Sequence, residues 1–209
     1  MIDTDMLDSS QHDSRATQLD PDLLSTPFGV QTNWHVITGA PCSGKTTLID
    51  KLADKGFKTV AETARQYFER EMASGRTLDE IREDRAALQR GIDDLQRRIE
   101  HGLRALDVAF LDRGFPDSLT FYRVSGMNPN EILLECFHHR YASVFILDRL
   151  PFLRKKTLGP EDDATAGFLD ECLARDYSAL GYRVVRVPAL SPQERFAFVL
   201  ERLSEQGLI

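Results

Sequence analysis

The chain has 209 residues, 42% hydrophobic and 28% charged, enough to bury a substantial core as one domain without disulfides or a structural metal. A formal charge of −7 argues against a basic nucleic-acid-binding surface, and the apolar runs are far shorter than the ~20 residues of a membrane helix. Three cysteines without metal-type spacing, and no charged-apolar-small leader pattern at the start, point to a reduced, cytoplasmic setting.

Residues 1–31 stand apart. They carry six aspartates and one arginine, a net charge of −5, and no sustained apolar period. Such a stretch buries too little to offset the entropy of ordering it, so a mobile acidic arm is expected over 1–31 and a folded domain over 32–209. Within the arm only Leu19, Leu23 and Leu24 offer apolar groups that could dock.

From Trp34 onward strands and helices alternate. Trp34–Thr38 reads as a buried strand, broken by Gly39, with a helix predicted over 44–54. A second strand is expected at 58–61, followed by a helix in which Tyr67 and Phe68 read as core. Ile81, Leu88, Ile92, Leu95 and Ile99 keep helical spacing between Leu78 and Leu103, with Gly91 and Gly102 as points to bend or end the helix. Further strands are predicted at 108–111, 142–147 and 182–187. His138 and His139 fall on a predicted helix with Leu133, Leu134 and Phe137, where adjacent residues do not share a face, so packing is favoured over a metal pair. A last helix starts near Ser191, where Ser-Pro-Gln-Glu supplies an N-cap, a first-turn proline and a capping-box glutamate. Strands separated by helices give an α/β, doubly wound parallel sheet.

Gly39-Ala40-Pro41-Cys42-Ser43-Gly44-Lys45-Thr46 matches G-x-x-x-x-G-K-[ST] between a predicted strand and a predicted helix. The glycines let successive N–H groups point into one concavity, and the helix behind it adds its positive end. Lys45 is placed to reach the β- and γ-phosphates of a nucleotide, and the Thr46 hydroxyl to ligate Mg²⁺; Thr47 follows on the same turn. Cys42 reads either as a small filler or as a thiol made redox-sensitive by helix N–H groups.

Three further clusters fall at strand ends, where open parallel sheets bind ligands. Asp112 closes the third strand as a Mg²⁺-orienting acid should, but Arg113 follows it where a hydrolysing motor would carry a water-activating glutamate. Neither an Asn-Lys-x-Asp guanine-reading motif nor a Leu-Ser-Gly-Gly transporter signature occurs, which favours phosphoryl transfer to a small acceptor. Glu62, at the end of the second strand, reads as the catalytic base or as a first-turn carboxylate favoured by the helix dipole. Arg65 and Arg113 read as phosphate or substrate clamps or as structural ion pairs, and Asp117 as an acceptor-hydroxyl ligand or a helix cap. Residues 149–164, with Arg149, Arg154, Lys155 and Lys156 preceding an acidic run, read as a lid over the phosphates or as a solvated charge run.

GAPCSGKTTL, the AETAR segment, LDRGFPDSLTFYR and LGYRVVRVPALSPQERFAFVLERL together resemble the AAA-domain predicted-ATPase family of kinase-like P-loop proteins, itself similar to the ribosylnicotinamide kinase domain of the bacterial NAD-biosynthesis regulator. The resemblance runs from Trp34 to Leu203. It implies a three-layer P-loop NTPase sandwich of the nucleoside- and nucleotide-kinase type, with strand order 2-3-1-4-5, ATP and Mg²⁺. It also implies that Lys45, Thr46, Glu62, Arg65, Asp112, Arg113 and Asp117 surround the site. After Leu150-Pro151 the chain lacks the Asp-x-x-Arg-type element of many relatives. The expected activity is ATP- and Mg-dependent phosphoryl transfer to a nucleoside or other small hydroxylated metabolite. The alternative is a nucleotide-dependent switch or slow ATPase that binds a protein partner through the acidic arm or the 78–103 helix.

Overall fold

The computed structural model describes residues 16–150 and 163–208. Five strands, β2 (Trp34–Thr38), β3 (Lys58–Val60), β4 (Ala109–Asp112), β6 (Ser143–Leu147) and β7 (Val184–Val187), form one parallel sheet. Their spatial order is β3-β4-β2-β6-β7, which in chain order of these five is 2-3-1-4-5. The chain therefore reverses direction across the sheet between β2 and β6, the switch point where open α/β sheets hold ligands. β2, β4 and β6 are buried at every position, which is why they read as continuous apolar runs rather than alternating ones.

Helices cover both faces. On one, α2 (Lys45–Asp54) and α8 (Pro192–Glu205) bring Leu48, Leu52, Val199 and Leu203 against Ile37, Phe110 and Phe145. On the other, α6 (Asp117–Val124) and α7 (Asp163–Ala179) pack Leu119, Leu173 and Tyr177 against Val36, Leu111 and Val144. The capping box at the start of α8 is present as read, with Ser191 and Glu194 bonding each other's backbone N–H. Arg123 and Asp176, both fully buried, join α6 to α7 through an ion pair of 3.2 Å.

The structure departs from the sequence reading in four places. Residues 16–31 do not behave as a mobile arm. α1 (Pro21–Leu24) and β1 (Val30–Gln31) lie on the domain, β1 pairing in parallel with β5 (His139–Arg140) as a separate two-stranded ribbon. Leu19 joins the core, Phe28 sits 5.0 Å from the Phe137 ring, and Arg123 donates to the Thr17 carbonyl. Backbone pairing and a few large side chains achieve the docking, with no apolar period to announce it. The expectation for residues 1–15 lies outside the described residues.

The predicted 78–103 helix is two helices, α4 (Leu78–Glu83) and α5 (Arg85–Gly102), divided at Asp84, whose extended backbone and side chain cap α5. Its deepest residues are polar. Gln89, Asp93, Gln96 and Glu100 are buried at one-face spacing, while Leu88, Ile92, Leu95 and Ile99 are half-buried at the sides. Tyr67 and Phe68, on α3 (Thr63–Ala73), are likewise half-buried rather than core. His139 lies on β5, following a 3₁₀ turn at Leu133–Phe137, and no cluster of three or more His, Cys, Asp or Glu side chains suited to a metal occurs among the described residues. No helix among those residues is long and apolar enough to cross a membrane.

Candidate active site

The loop after β2 turns on backbone that L-residues rarely adopt: φ is +142° at Gly39, +59° at Cys42 and +88° at Gly44. At Gly39 a Cβ would sit 2.8 Å from the Leu147 carbonyl oxygen, so glycine is required by space as well as by conformation. The first bond of α2 runs from the Leu48 N–H to the Gly44 carbonyl, 3.2 Å. The N–H groups of Lys45, Thr46 and Thr47 therefore have no partner inside the helix and face the loop's concavity. Lys45 is buried, its Nζ donating to the carbonyls of Gly39 and Ala40 at 3.1 Å each. Burial, helped by the nearby Arg113 charge, lowers its pKa to about 8, against the pull of Asp112 and Glu62.

Asp112 ends β4 beside β2, and its Oδ2 lies 3.5 Å from the Thr46 hydroxyl. Its Oδ1 is buried with no hydrogen-bond partner, and burial raises the carboxyl pKa to about 6 despite Lys45. A buried carboxylate oxygen without a donor, beside a hydroxyl on the phosphate loop, is the donor set a Mg²⁺ ion or its waters would satisfy.

Arg113 follows in a left-handed conformation, φ +75°, which turns its side chain back across the sheet end. Its Nε donates to Glu62 Oε1 at 2.9 Å and its Nη1 to Asp117 Oδ1 at 3.0 Å, while the guanidinium lies 5.1 Å over the Phe121 ring. Burial alone would lower the arginine pKa, but Asp117 and Glu62 outweigh it, so Arg113 is held charged. Burial opposes ionisation of Glu62 as well; the charge and hydrogen bond of Arg113, with Lys45 and Arg65, still bring its pKa below the usual value. Asp117 is 2% exposed and fully engaged, accepting from Thr38 and Arg113 on one oxygen and from Tyr177 (2.6 Å) and the Gly114 N–H (3.2 Å) on the other.

Three compartments run along this end of the sheet. The first, about 330 Å³, is bordered by the phosphate loop with Lys45, Thr46, Glu62, Arg65 and Arg113. The second, about 590 Å³, opens beyond Gly44 and Thr47 and is closed by Leu150, Ala189, Leu190 and Arg195. The third, about 210 Å³, shares Pro41, Glu62 and Arg113 with the first and reaches back between α3, α5 and α6 to Gln89, Gln96 and Phe121. The predicted residues Pro41, Cys42, Gly44, Lys45, Thr46, Thr47, Glu62, Arg65 and Arg113 thus meet around one space, with Asp112 beneath it and Asp117 bordering the third compartment. Arg149, two residues past β6, does not line the first two compartments, and the expected lid at 149–164 falls largely outside the described residues.

Sequence reasoning missed Arg195. It is 2% exposed in the first turn of α8, donates to Pro188 O (2.8 Å), Asp148 O (2.6 Å) and Ser43 O, and so ties the ends of β6 and β7 to the phosphate loop. The sequence signal was only its position in the turn after the Ser191 cap. It also missed the polar stripe of α5. Thr63 donates to Gln96, Gln96 to Glu100 (2.8 Å), and Gln89 to Asp93 (2.8 Å), which also accepts from Ser118 at 2.5 Å.

The fold is shared with solved small-molecule kinases. Thymidylate kinase from Candida albicans aligns with a TM-score of 0.52 and 14% identity, over 88% of this chain and 95% of that one. Shikimate kinase from Aquifex aeolicus gives 0.52 and 17%, over 84% and 98%. NadR, solved in complex with NR, gives 0.58 and 19%, over 83% of this chain but 51% of that chain, so the likeness spans about half of NadR. Comparison with curated proteins finds no match. The family comparison covers residues 34–195, from the first residue of β2 to Arg195, whose guanidinium bonds the phosphate-loop carbonyl of Ser43. Over that span the chain belongs to the AAA-domain family, on a kinase-like P-loop fold.

Proposed function

We propose that the protein is an ATP- and Mg-dependent phosphotransferase that phosphorylates a hydroxyl of a small molecule. The observation that carries this reading is the sharing of Glu62 and Arg113 by two compartments, the phosphate-loop space and the 210 Å³ cavity beside it. A hydrolase needs only water at the end of the phosphates; a transferase needs a second cavity that opens on the same carboxylate.

In this reading the 590 Å³ compartment takes the base and ribose, the loop takes the phosphates, and the acceptor occupies the inner cavity. Thr46 and Asp112 would hold Mg²⁺, which would supply neutralisation of phosphate charge. Lys45 leaves the Gly39 and Ala40 carbonyls for the phosphate oxygens, a stronger partner for its charge. Glu62 uses Oε1 to hold Arg113, leaving Oε2 to orient the acceptor hydroxyl and take its proton. The hydroxyl oxygen bonds to the γ-phosphorus, the bond from that phosphorus to the bridging oxygen breaks, and ADP leaves with the electron pair. Arg113 and Arg65 offset the charge that develops on the transferring group. Asp117, with both oxygens engaged, is a positioning residue for Arg113 rather than an acceptor ligand.

The test is phosphotransfer from ATP and Mg²⁺ to pooled nucleosides, sugars, amino-alcohols and related hydroxylated compounds, read as ADP release and product mass. Glu62→Gln should lower transfer by about 10²–10⁴-fold, the usual worth of a general base, with ATP affinity within about threefold of wild type. Turnover within about tenfold of wild type would remove Glu62 as the base.

A further inference from the structure

The inner cavity has two walls of different character. On the phosphate side stand Glu62, Asp117 and Arg113, and the single guanidinium is shared between the two carboxylates at 2.9 and 3.0 Å. One cation against two anions leaves this wall at a formal charge of −1. On the far side the polar groups are the amides of Gln89 and Gln96 and the Ser118 hydroxyl, and among the described lining residues no lysine or histidine appears and no arginine besides Arg113.

These far-wall groups are mostly engaged already. Gln96 accepts from Thr63 and donates to Glu100, and Ser118 donates to Asp93. Gln89 donates its Nε2 to Asp93 Oδ1 at 2.8 Å, which fixes the amide's orientation and leaves Oε1 without a donor among the described residues. The directed polar atom that this wall offers is therefore a carbonyl oxygen, framed by Ile92 and Phe121 and backed by the Asp93 carboxylate. A carboxylate or phosphate placed against Gln89 would face its carbonyl oxygen and the Asp93 carboxylate behind it, and the one cation among the described lining residues, Arg113, is already shared between Glu62 and Asp117. A hydroxyl, amide or amine hydrogen would be matched by Gln89. At about 210 Å³ the space is also below the roughly 300–1,000 Å³ of pockets for drug-sized ligands.

Building on the phosphotransfer reading, we propose that the acceptor is a small neutral or cationic molecule that bears no carboxylate or phosphate and donates an N–H or O–H hydrogen bond to Gln89. Gln89 is then the residue that sets acceptor specificity.

The experiment uses the full chain and matched pairs that differ in one negative charge: thymidine against its 5′-monophosphate, other nucleosides against theirs, and shikimate methyl ester against shikimate. Product is followed by mass with ATP and Mg²⁺, and binding by calorimetry with a non-hydrolysable ATP analogue. The uncharged member of each accepted pair should show a KM or Kd at least about tenfold lower, one hydrogen bond's worth of discrimination. Gln89→Leu should raise the acceptor KM about tenfold with the ATP KM unchanged, which also reports an intact fold. Gln89→Arg should narrow or reverse the preference within each pair. Binding of uncharged members without any product would support the acceptor chemistry while removing the phosphotransfer reading. Product from the anionic members alone would leave phosphotransfer standing and overturn the acceptor chemistry. Equal use of both members, or no binding by any, would overturn it as well.

Discussion

Arg195 is the most exacting place to test the architecture of the site, because one side chain joins three segments distant in sequence. Its guanidinium donates to the carbonyls of Ser43, Asp148 and Pro188 while being 2% exposed. Replacing it with leucine removes three charge-assisted hydrogen bonds, each worth about 1.5 kcal/mol net at the low end for such bonds, hence roughly 4–5 kcal/mol. The adjacent 590 Å³ compartment admits water to the freed carbonyls, and the cost of burying an arginine is recovered. A net loss of about 2–3 kcal/mol follows, or roughly 5–10 °C in Tm for a chain of this size. The nucleotide end should suffer further, since Ser43 lies inside the phosphate loop. Thermal melts with and without ATP and Mg²⁺ measure both effects, the ligand-induced rise in Tm reporting affinity. We expect Arg195→Leu to melt lower and to lose most of that rise. Arg195→Lys should fall between, because an ammonium cannot span the three carbonyls as the planar fork does. A leucine variant that melts within about 2 °C of wild type and keeps its full rise with ATP would refute the reasoning.

Two further predictions concern the scaffold. His35 is fully buried on β2, Nδ1 on Ser143 Oγ at 2.8 Å and Nε2 without a partner, and burial lowers its pKa from 6.5 to about 4. Between those values the unfolded chain binds a proton that the native protein does not, so stability falls as pH drops from 6.5 towards 4, by up to about 3 kcal/mol. His35→Leu should flatten that part of a Tm-against-pH curve, and an unchanged slope would exclude His35 as its source. Gly114 packs where a Cβ would lie 2.9 Å from both the Tyr177 hydroxyl and Val36 Cγ2 and 3.0 Å from Tyr141. Gly114→Ala should therefore cost about 1–3 kcal/mol in denaturant unfolding, and a neutral result would show that these side chains yield freely.

What could be read in the sequence is what local chemistry dictates. The turn from Gly39 to Thr46 advertises itself because each fixed position answers a phosphate requirement, and the central strands β2, β4 and β6 show because burial at every position leaves them runs of apolar residues with few polar ones. The boundary at Ser191 showed through its capping box. What stayed hidden depends on partners remote in sequence. Gln89, Asp93, Gln96 and Glu100 have visible one-face spacing, but polar residues at that spacing read as a solvated face until α6 and Tyr141 supply their partners. Asp117 and Arg195 carry no mark that separates a buried staple from a surface charge. Leu19 and Phe28 were too sparse to set a period, and β1 is two residues that depend on β5 for their pairing.

The docked segment at 16–31 bears on how the protein is handled at the bench. A fragment begun at residue 32, where charge and composition suggest the boundary, would strip Phe28 from the rings of Phe137 and Tyr182 and from beneath the Arg140 guanidinium. It would also leave the backbone of β5 as an open edge, available to a neighbouring molecule. Self-association or low yield in such a fragment would reflect where it was cut. Screening for acceptors is better served by a piece that retains residue 16 and everything after it.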